Sequence, residues 1–167
     1  MAAAVDPGPN QLRAAMEARD LAPLRAALAE DVVLRSPIFS VPFEGRDEAL
    51  DLFEVLFEVF GEMTYTSDVP GDPHIFVWSC QVDGEPLEGV DTVRYDDAGK
   101  IAEVVVYMRP LRGIAAFMDK AAPLMGAKRS KARGRLMKVL GQPPTAMMRL
   151  VAGLGPRLMG MKRDSST

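Results

Sequence analysis

The side chain of Asp91 is the first candidate for chemistry in this sequence, because it interrupts an otherwise apolar strand pattern. Alternate residues of a strand share a face, and the face with Asp91 also holds Leu87, Gly89, Val93 and Tyr95. We expect this face to be buried. Burying a carboxylate costs several kcal/mol unless it is paired, hydrogen-bonded or protonated. Asp91 is therefore either satisfied by a backbone amide or hydroxyl, or it is the acid of a functional pocket.

The preceding predicted strand offers further candidates. Its alternate positions hold His74, Phe76, Trp78, Cys80 and Val82, and one of its faces must meet the Asp91 face. His74 is the only histidine and is either a rim residue or a catalytic helper. Cys80 is expected in the core, because no basic group adjoins it in sequence to stabilise a thiolate. Trp78 is either a core residue or a flat wall for a ring-bearing ligand.

Strand alternation also predicts a ligand cavity beside Asp91. We expect its lining to come from two strands and from the helix that covers them: Phe76, Trp78, Cys80, Val104, Val106, Met108, Leu52 and Phe53. Asp91 is the candidate general acid or base of this cavity. Its candidate helpers are Ser36, His74 and Tyr107.

The elements that must position these residues begin with helices. We predict one helix after Asn10, a second from Leu21 to Glu30, and a third from about Arg46 to Phe60. The third helix carries an acidic stripe, expected to be a solvated face: Asp47, Asp51, Glu54 and Glu58. Only a short extended run, Val32 to Leu34, is expected between the second and third helices.

After Gly61 the hydrophobic period changes from about 3.6 residues to 2, which predicts strands. The four predicted strands are Met63–Val69, His74–Val82, Leu87–Tyr95 and Ile101–Met108, and a last helix runs from Leu111 to about Met125. Helices followed by an antiparallel meander indicate an α+β domain, with helices over one face of a curved sheet. We place this domain at residues 10–125, after a flexible segment at 1–9.

Several classes of function lack sequence support. The sequence has no GxGxxG after a strand and no GxxxxGK[ST], HExxH or GxSxG motif, which leaves dinucleotide, nucleotide-hydrolysing and triad chemistry unsupported. A single cysteine allows neither an intramolecular disulfide nor a cysteine-based zinc cluster, so we expect no metal and no other cofactor. The first residues do not resemble a secretion signal, and a cytoplasmic protein is the simplest interpretation.

The charge divides sharply along the chain. Residues 1–125 hold 10 Lys and Arg against 22 Asp and Glu, a net charge of -12. Residues 126–167 hold 10 Lys and Arg against the single acid Asp164, a net charge of +9. Such asymmetry indicates an appended segment with its own partner. We therefore treat residues 126–167 as a basic amphipathic extension.

Two interpretations of this extension stay open. Its basic residues precede apolar residues at helical spacing, among them Met147, Leu150, Leu154 and Leu158, a pattern that suits an anionic membrane surface. Alternatively, the extension packs on the acidic stripe of its own domain or on a dimer partner. Nucleic acid is not an expected partner, because the extension has no aromatic residue and the domain is acidic.

The order and spacing of three stretches resemble a known superfamily. These stretches are ALAEDVVLRSP, FEGRDEALDLF and LEGVDTVRYDDAGKIAEVVVYMRPL. Together they are similar to the nuclear transport factor 2-like superfamily, and in particular to its SnoaL-like, polyketide-cyclase-like and ketosteroid-isomerase-like members. The resemblance implies a cone-shaped α+β barrel with a deep pocket between sheet and helices, and a homodimer formed through the outer sheet face.

The same resemblance puts Asp91 where isomerase-like members carry an acid that hydrogen-bonds the substrate oxyanion. An acid in that role stays protonated near neutral pH, because an apolar site raises its pKa. This chain has Ser36 before Pro37 where those members carry their general base, and their helix-one tyrosine falls near Leu12. The last-strand acid of epoxide-hydrolase-like members falls near Val106. The resemblance therefore favours neither ketosteroid isomerisation nor epoxide hydrolysis.

Three hypotheses of function follow from these observations. The first is a cyclase, isomerase or dehydratase type of enzyme that uses Asp91 as its lone general acid or base. The second is a non-catalytic protein that binds a small apolar, ring-bearing or acyl ligand. The third is an interaction module whose basic extension contacts a membrane surface or a partner protein.

Overall fold

The computed structural model describes residues 11–160. Asn10, the segment 1–9 that we expect to be flexible, and residues 161–167 lie outside this range. The helices are α1 Gln11–Ala18, α2 Leu21–Ala27, α3 Arg46–Val59, α4 Leu111–Arg129 and α5 Lys131–Leu158. The strands are β1 Leu28–Arg35, β2 Phe43–Glu44, β3 Thr64–Val69, β4 His74–Val82, β5 Glu85–Tyr95 and β6 Ile101–Arg109.

The six strands form one curved sheet in the order β2-β1-β6-β5-β4-β3. Strands β3 to β6 form the predicted antiparallel meander, and β1 adds to it in parallel beside β6. Helices α1 and α3 cover the concave face of this sheet, where the main cluster of buried apolar residues lies. The predicted α+β class and the helical C-terminal extension are confirmed.

Strand β1 is longer than the sequence predicts. The helix expected to reach Glu30 ends at Ala27, and the backbone of Leu28 is extended, with φ -75° and ψ 139°. Leu28 lies opposite Ile101 of β6, and both side chains are fully or almost fully buried. The gain from burying this pair outweighs the weak helix propensity of a short apolar segment.

The acidic stripe of α3 is not simply a solvated face. The carboxylate of Glu54 pairs with the Lys128 ammonium, which also lies 3.4 Å from Asp51. The Arg129 guanidinium lies 2.5 Å from the carboxylate of Glu48. The end of α4 therefore packs on this stripe, as one of the two interpretations of the basic extension expects.

Helix α4 continues four residues past the predicted end at Met125, so the predicted domain boundary falls inside a helix. We call residues 11–129 the sheet domain. Ser130 separates α4 from α5 and caps α5, since its Oγ accepts the backbone N–H of Arg133 at 3.2 Å. The two helices approach closely at Gly134, where a Cβ would lie 2.9 Å from the carbonyl oxygen of Pro123.

Helix α5 is a single helix of 28 residues that includes Pro143, Pro144 and Pro156. Its side toward α4 holds the buried residue Thr145, whose hydroxyl donates to the Asp119 carboxylate at 2.5 Å. Within residues 11–160, no helix is both long enough and apolar enough to cross a membrane.

Candidate functional site

A small cavity of about 50 Å³ lies between the concave face of the sheet and helices α1, α3 and α4. Its lining is almost entirely apolar and comprises Leu12, Met16, Leu34, Ser36, Pro37, Leu52, Phe53, Leu56, Phe60, Met63, Trp78, Asp91, Val104, Val106, Met108 and Phe117. A space of this size accepts a few water molecules. A larger ligand must therefore move side chains or extend out of the cavity.

Asp91 enters this cavity from the middle of β5, opposite Phe76 of β4 and Val106 of β6. Its Oδ1 is buried and has no hydrogen-bond partner among the described residues, while the rest of the residue keeps some exposed surface toward the cavity. Burial raises the pKa of this carboxyl to about 7. Asp91 is therefore partly protonated near neutral pH, unlike an ordinary surface aspartate.

Trp78 lies against the same cavity because its strand neighbour is a glycine. Trp78 and Gly89 are opposite each other in the β4–β5 ladder, and a Cβ at Gly89 would lie 2.1 Å from the Trp78 ring. The indole N–H lies near enough to Asp91 to lower its pKa slightly, against the larger effect of burial. The two groups miss hydrogen-bond geometry, however, since Trp78 Nε1 and Asp91 Oδ1 both lack a partner.

Tyr65 of β3 is a further polar side chain close to Asp91, although it does not line the cavity, and it is not among the residues expected from the sequence. Its hydroxyl is buried without a hydrogen-bond partner, and its Cα lies opposite Trp78 in the sheet. Burial raises its pKa, and the negative charge of nearby Asp91 raises it further. Strand alternation over Thr64–Val69 could have put Tyr65 on the concave face, but nothing in the sequence aligns β3 with Asp91.

The comparisons with known proteins agree with this architecture. The sequence model of the SnoaL-like domain matches residues 10–104. The chain belongs to the SnoaL-like domain family. The match ends inside β6, so α4 and α5 lie beyond it. No curated protein matches the chain.

Solved structures with the same fold include a steroid delta-isomerase from Pseudomonas aeruginosa, 26% identical, with a TM-score of 0.63 over 73% of this chain and 88% of that one. A protein with a cystatin-like fold from Silicibacter pomeroyi is 25% identical, with a TM-score of 0.65 over 77% of this chain and 92% of that one. A candidate polyketide cyclase from Sinorhizobium meliloti, 17% identical, shares the fold with a TM-score of 0.51 over 59% of this chain and 94% of that one.

Eight of the residues predicted for the site lie at the cavity of this SnoaL-like domain. They are Asp91, Ser36, Leu52, Phe53, Trp78, Val104, Val106 and Met108. Ser36 lies where the chain leaves β1, and its Oγ accepts the backbone N–H of Ile38 at 3.0 Å. The Ser36 hydroxyl is thus held by its own loop and still lines the cavity.

His74 is neither at a rim nor at the cavity. It is buried, and its Nε2 lies 2.6 Å from the Asp68 carboxylate. Its ring stacks on Phe76 with centroids 4.2 Å apart, and Phe76 is itself fully buried in the main core. His74 and Phe76 alternate with Trp78 along β4, but neither residue lines the cavity, contrary to the expectation for Phe76.

Tyr107 and Cys80 also lie away from the cavity. Tyr107 alternates with Val106 and Met108 along β6, so it points to the opposite face of the sheet, where 58% of it is exposed. Cys80 is a core residue, as expected, and burial raises the pKa of its thiol to about 12. Neither residue lines the cavity that holds Asp91.

The lining residues that the sequence analysis missed come mostly from helices and loops. Leu12 and Met16 belong to α1, and Phe117 belongs to α4. Helical periodicity finds such residues as members of an apolar face, but it does not say which of them border an open space. Among residues 11–160, no group of three His, Cys, Asp or Glu side chains could hold a metal ion.

Proposed function

We propose that this SnoaL-like protein binds a small, largely apolar molecule that carries one hydrogen-bonding oxygen. The observation that carries this proposal is the buried Asp91 Oδ1, which has no partner and lies in an apolar cavity. Buried polar atoms are normally satisfied, and an unsatisfied group calls for a missing partner. A ligand carbonyl or hydroxyl would accept a hydrogen bond from protonated Asp91, and the N–H of Trp78 is available as a second donor.

Asp91 is also suited to acid–base chemistry on such a ligand. A carboxyl with a pKa of about 7 is present in both protonation states near neutral pH, which favours proton transfer in either direction. We infer an isomerase, cyclase or dehydratase type of step, with Asp91 as the lone general acid or base. Similarity to a steroid delta-isomerase, at 26% identity, supports a ring-bearing substrate.

A binding protein without catalysis is the second form of this proposal. Among residues 11–160, Ser36 and Asp91 are the only polar residues that line the cavity besides the indole of Trp78, and the Oγ of Ser36 already accepts a hydrogen bond. No second carboxylate or histidine lines the cavity within the described residues. Because Asp91 has no second acid–base group beside it in the cavity lining, binding of a ligand oxygen is favoured over a reaction that needs two such groups.

A matched pair of probes tests the binding role. Tetralone and tetralin differ by one carbonyl oxygen, and Trp78 fluorescence reports their binding. We expect the wild type to bind tetralone about tenfold more tightly, the value of one well-buried hydrogen bond. Asp91→Asn keeps a donor and should retain this preference, whereas Asp91→Leu should lose it. Equal affinities of the wild type for both probes would refute the role of Asp91 in recognition.

Proton exchange separates the catalytic form from the binding form. A general acid or base beside the carbonyl should accelerate deuterium exchange at the carbon next to it in tetralone, which NMR follows in heavy water. Asp91→Asn should bind tetralone and fail to accelerate the exchange. A wild type that binds tetralone without any acceleration is a binding protein.

A second candidate function concerns α5. Its exposed apolar residues fall on one side of the helix and form one stripe: Leu136, Val139, Leu140, Met147, Leu150, Val151, Leu154 and Leu158. The helix has six Lys and Arg and no Asp or Glu. We propose that this stripe contacts an anionic membrane surface from the cytoplasm, where apolar insertion and charge attraction act together.

Vesicle flotation tests this contact on the full-length protein. Binding should require phosphatidylserine in the vesicles and should fall steeply with salt. A variant with Leu150, Leu154 and Leu158 changed to Ser should lose flotation, and a variant with Lys131, Arg135 and Lys138 changed to Gln should lose most of it. If the serine variant instead breaks a dimer in sedimentation while no form floats, the stripe is a homodimer interface and the membrane proposal is wrong.

A further inference from the structure

A second concavity, a groove of about 640 Å³, adjoins the Asp91 cavity. The loop between β1 and β2 forms one side of it, and α4 and α5 form the other. The cavity and the groove share three lining residues: Ser36, Leu52 and Phe117. A ligand larger than the cavity therefore has this groove as one of the spaces into which it can extend.

The walls of the groove are mainly apolar. Phe39 and Val41 of the loop are 51% and 73% exposed, and they face a space that is also lined by Met118, Met125 and Met137. Methionine side chains are flexible and adapt to ligands of different shape. The groove therefore suits a hydrocarbon body rather than a sugar or a nucleotide.

The charged residues of the groove leave one cation without a partner. Arg129 is bound to Glu48, and Glu48 also accepts the backbone N–H of Glu44 at 3.3 Å. These contacts, the first above all, lower the pKa of Glu48, which keeps this pair ionised and locally neutral. The guanidinium of Arg133 has no acidic partner within residues 11–160. The groove thus carries a net positive charge at its α5 side.

We propose that the groove holds the anionic end of the ligand, so that the natural ligand is an amphipathic carboxylate. Its apolar body lies against Phe39, Val41 and Met125, its carboxylate binds Arg133, and its other end reaches the Asp91 cavity past Ser36 and Phe117. This proposal rests on the proposed binding function of the cavity. It adds that α5, which lies beyond the matched family domain, selects the charge of the ligand.

A carboxylate fits Arg133 better than other groups do. A guanidinium offers two parallel N–H donors that match the two oxygens of a carboxylate. A neutral ligand would leave this cation without a counter-charge, and a polyanion would meet only one unpaired cation between apolar walls. A ligand with one carboxylate and an apolar body would neutralise the charge of Arg133 and bury the apolar walls of the groove.

Dodecanoate and dodecanol are the test probes, because they share a chain and differ in the charge of one end. Both are added below the concentration at which dodecanoate forms micelles, without vesicles, and binding is followed by calorimetry and Trp78 fluorescence. We expect the wild type to bind dodecanoate about tenfold more tightly than dodecanol. Arg133→Gln should remove this preference and leave dodecanol binding unchanged.

Arg135→Gln is the matched control, since Arg135 is exposed on the same helix and does not line the groove. It should keep the tenfold preference. Equal losses in Arg133→Gln and Arg135→Gln would indicate a general effect of surface charge and would overturn the proposal. If the wild type binds both probes equally, the groove does not select charge, and the proposed cavity function stands. If neither probe binds, and tetralone also fails to bind, both proposals are wrong.

Discussion

The sheet domain and helix α5 differ in how far their apolar side chains are exposed to solvent. In the sheet domain, residues such as Leu24, Phe76 and Val93 are fully buried, and two of its unsatisfied polar atoms, Trp78 Nε1 and Asp91 Oδ1, belong to residues that line the cavity. In α5, Leu150 and Leu158 are 59% and 85% exposed, whereas the polar side chain of Thr145 is buried. The sheet domain thus has buried polar atoms without hydrogen-bond partners, whereas α5 has apolar side chains exposed to solvent.

This difference indicates two kinds of missing partner. We propose that a ligand oxygen completes the hydrogen bonding of the Asp91 carboxyl in the cavity. We propose a surface partner for the apolar stripe of α5, because single exposed apolar residues are ordinary but an aligned row of eight is not. The groove lies between these two regions and draws residues from both.

The largest predicted effect is the dependence of stability on the protonation of Asp91. Its pKa is about 7 in the folded protein against an ordinary value of 3.8 for an aspartate, so the folded state binds this proton more tightly than the unfolded state. The free energy of unfolding should therefore fall as pH rises from about 4 to above 7, by roughly 4 kcal/mol from this group alone.

Urea unfolding of the wild type and of Asp91→Asn over this pH range measures the effect. The difference between the two proteins cancels the titration of all other groups, and it should move in favour of Asp91→Asn as pH rises. If the two plots of unfolding free energy against pH stay parallel, burial does not raise the pKa of Asp91. The sheet domain would then no longer contrast with α5 through a perturbed polar group.

Leucine truncation compares the two regions directly. Leu24→Ala in the sheet domain should cost about 3 kcal/mol of unfolding free energy, because the residue is fully buried. Leu150→Ala in α5 should cost less than about 0.5 kcal/mol, because the residue is largely exposed. Thermal and urea unfolding of both variants check this, and a large loss for Leu150→Ala would show that the stripe is covered in solution.

Gly89→Ala tests the packing that positions Trp78. The new methyl group would overlap the indole ring, so we expect a loss of about 2 kcal/mol in stability and a shift of Trp78 emission as the ring moves. Val90→Ala, the next position on the opposite sheet face, is the control for emission. An unchanged emission spectrum in Gly89→Ala would contradict the described contact.

The smallest predicted effect concerns the approach of α4 and α5. Gly134→Ala puts a methyl group 2.9 Å from the carbonyl oxygen of Pro123, whereas Gly153→Ala meets no heavy atom within 4 Å. Alanine improves helix propensity at both positions, so the difference isolates the packing. We expect Gly134→Ala to be about 1 kcal/mol less stable than Gly153→Ala. Equal stabilities would mean that α5 does not pack closely on α4.

Much of the fold could be predicted from the sequence, because local periodicity determines most of its elements. The meander β3 to β6 and the helices α1 and α3 follow from alternation and from apolar stripes. The parallel pairing of β1 with β6 could not be predicted, since it joins Leu28 to Ile101 across most of the sheet domain. The length of α4 was also missed, because its last turn is stabilised by ion pairs with α3.

The site was predictable to the extent that it follows strand alternation. That rule identifies the face of Asp91, and the same face of β6 with Val104, Val106 and Met108 borders the cavity. Strand alternation does not distinguish a residue that lines a cavity from one that packs on another ring. Phe76 and His74 were expected at the cavity for this reason, and their rings pack on each other instead. Tyr65 escaped notice because its proximity to Asp91 depends on a register between strands that are not adjacent in the sheet.

The protonation of Asp91 in the free protein tests the central claim most directly. Infrared difference spectra between the wild type and Asp91→Asn, with carbon-13 in the aspartate carboxyl groups, isolate the band of this single group. We expect a protonated carboxyl band at pH 5 that disappears with a midpoint near pH 7. A carboxylate band that is already complete at pH 5 would contradict it.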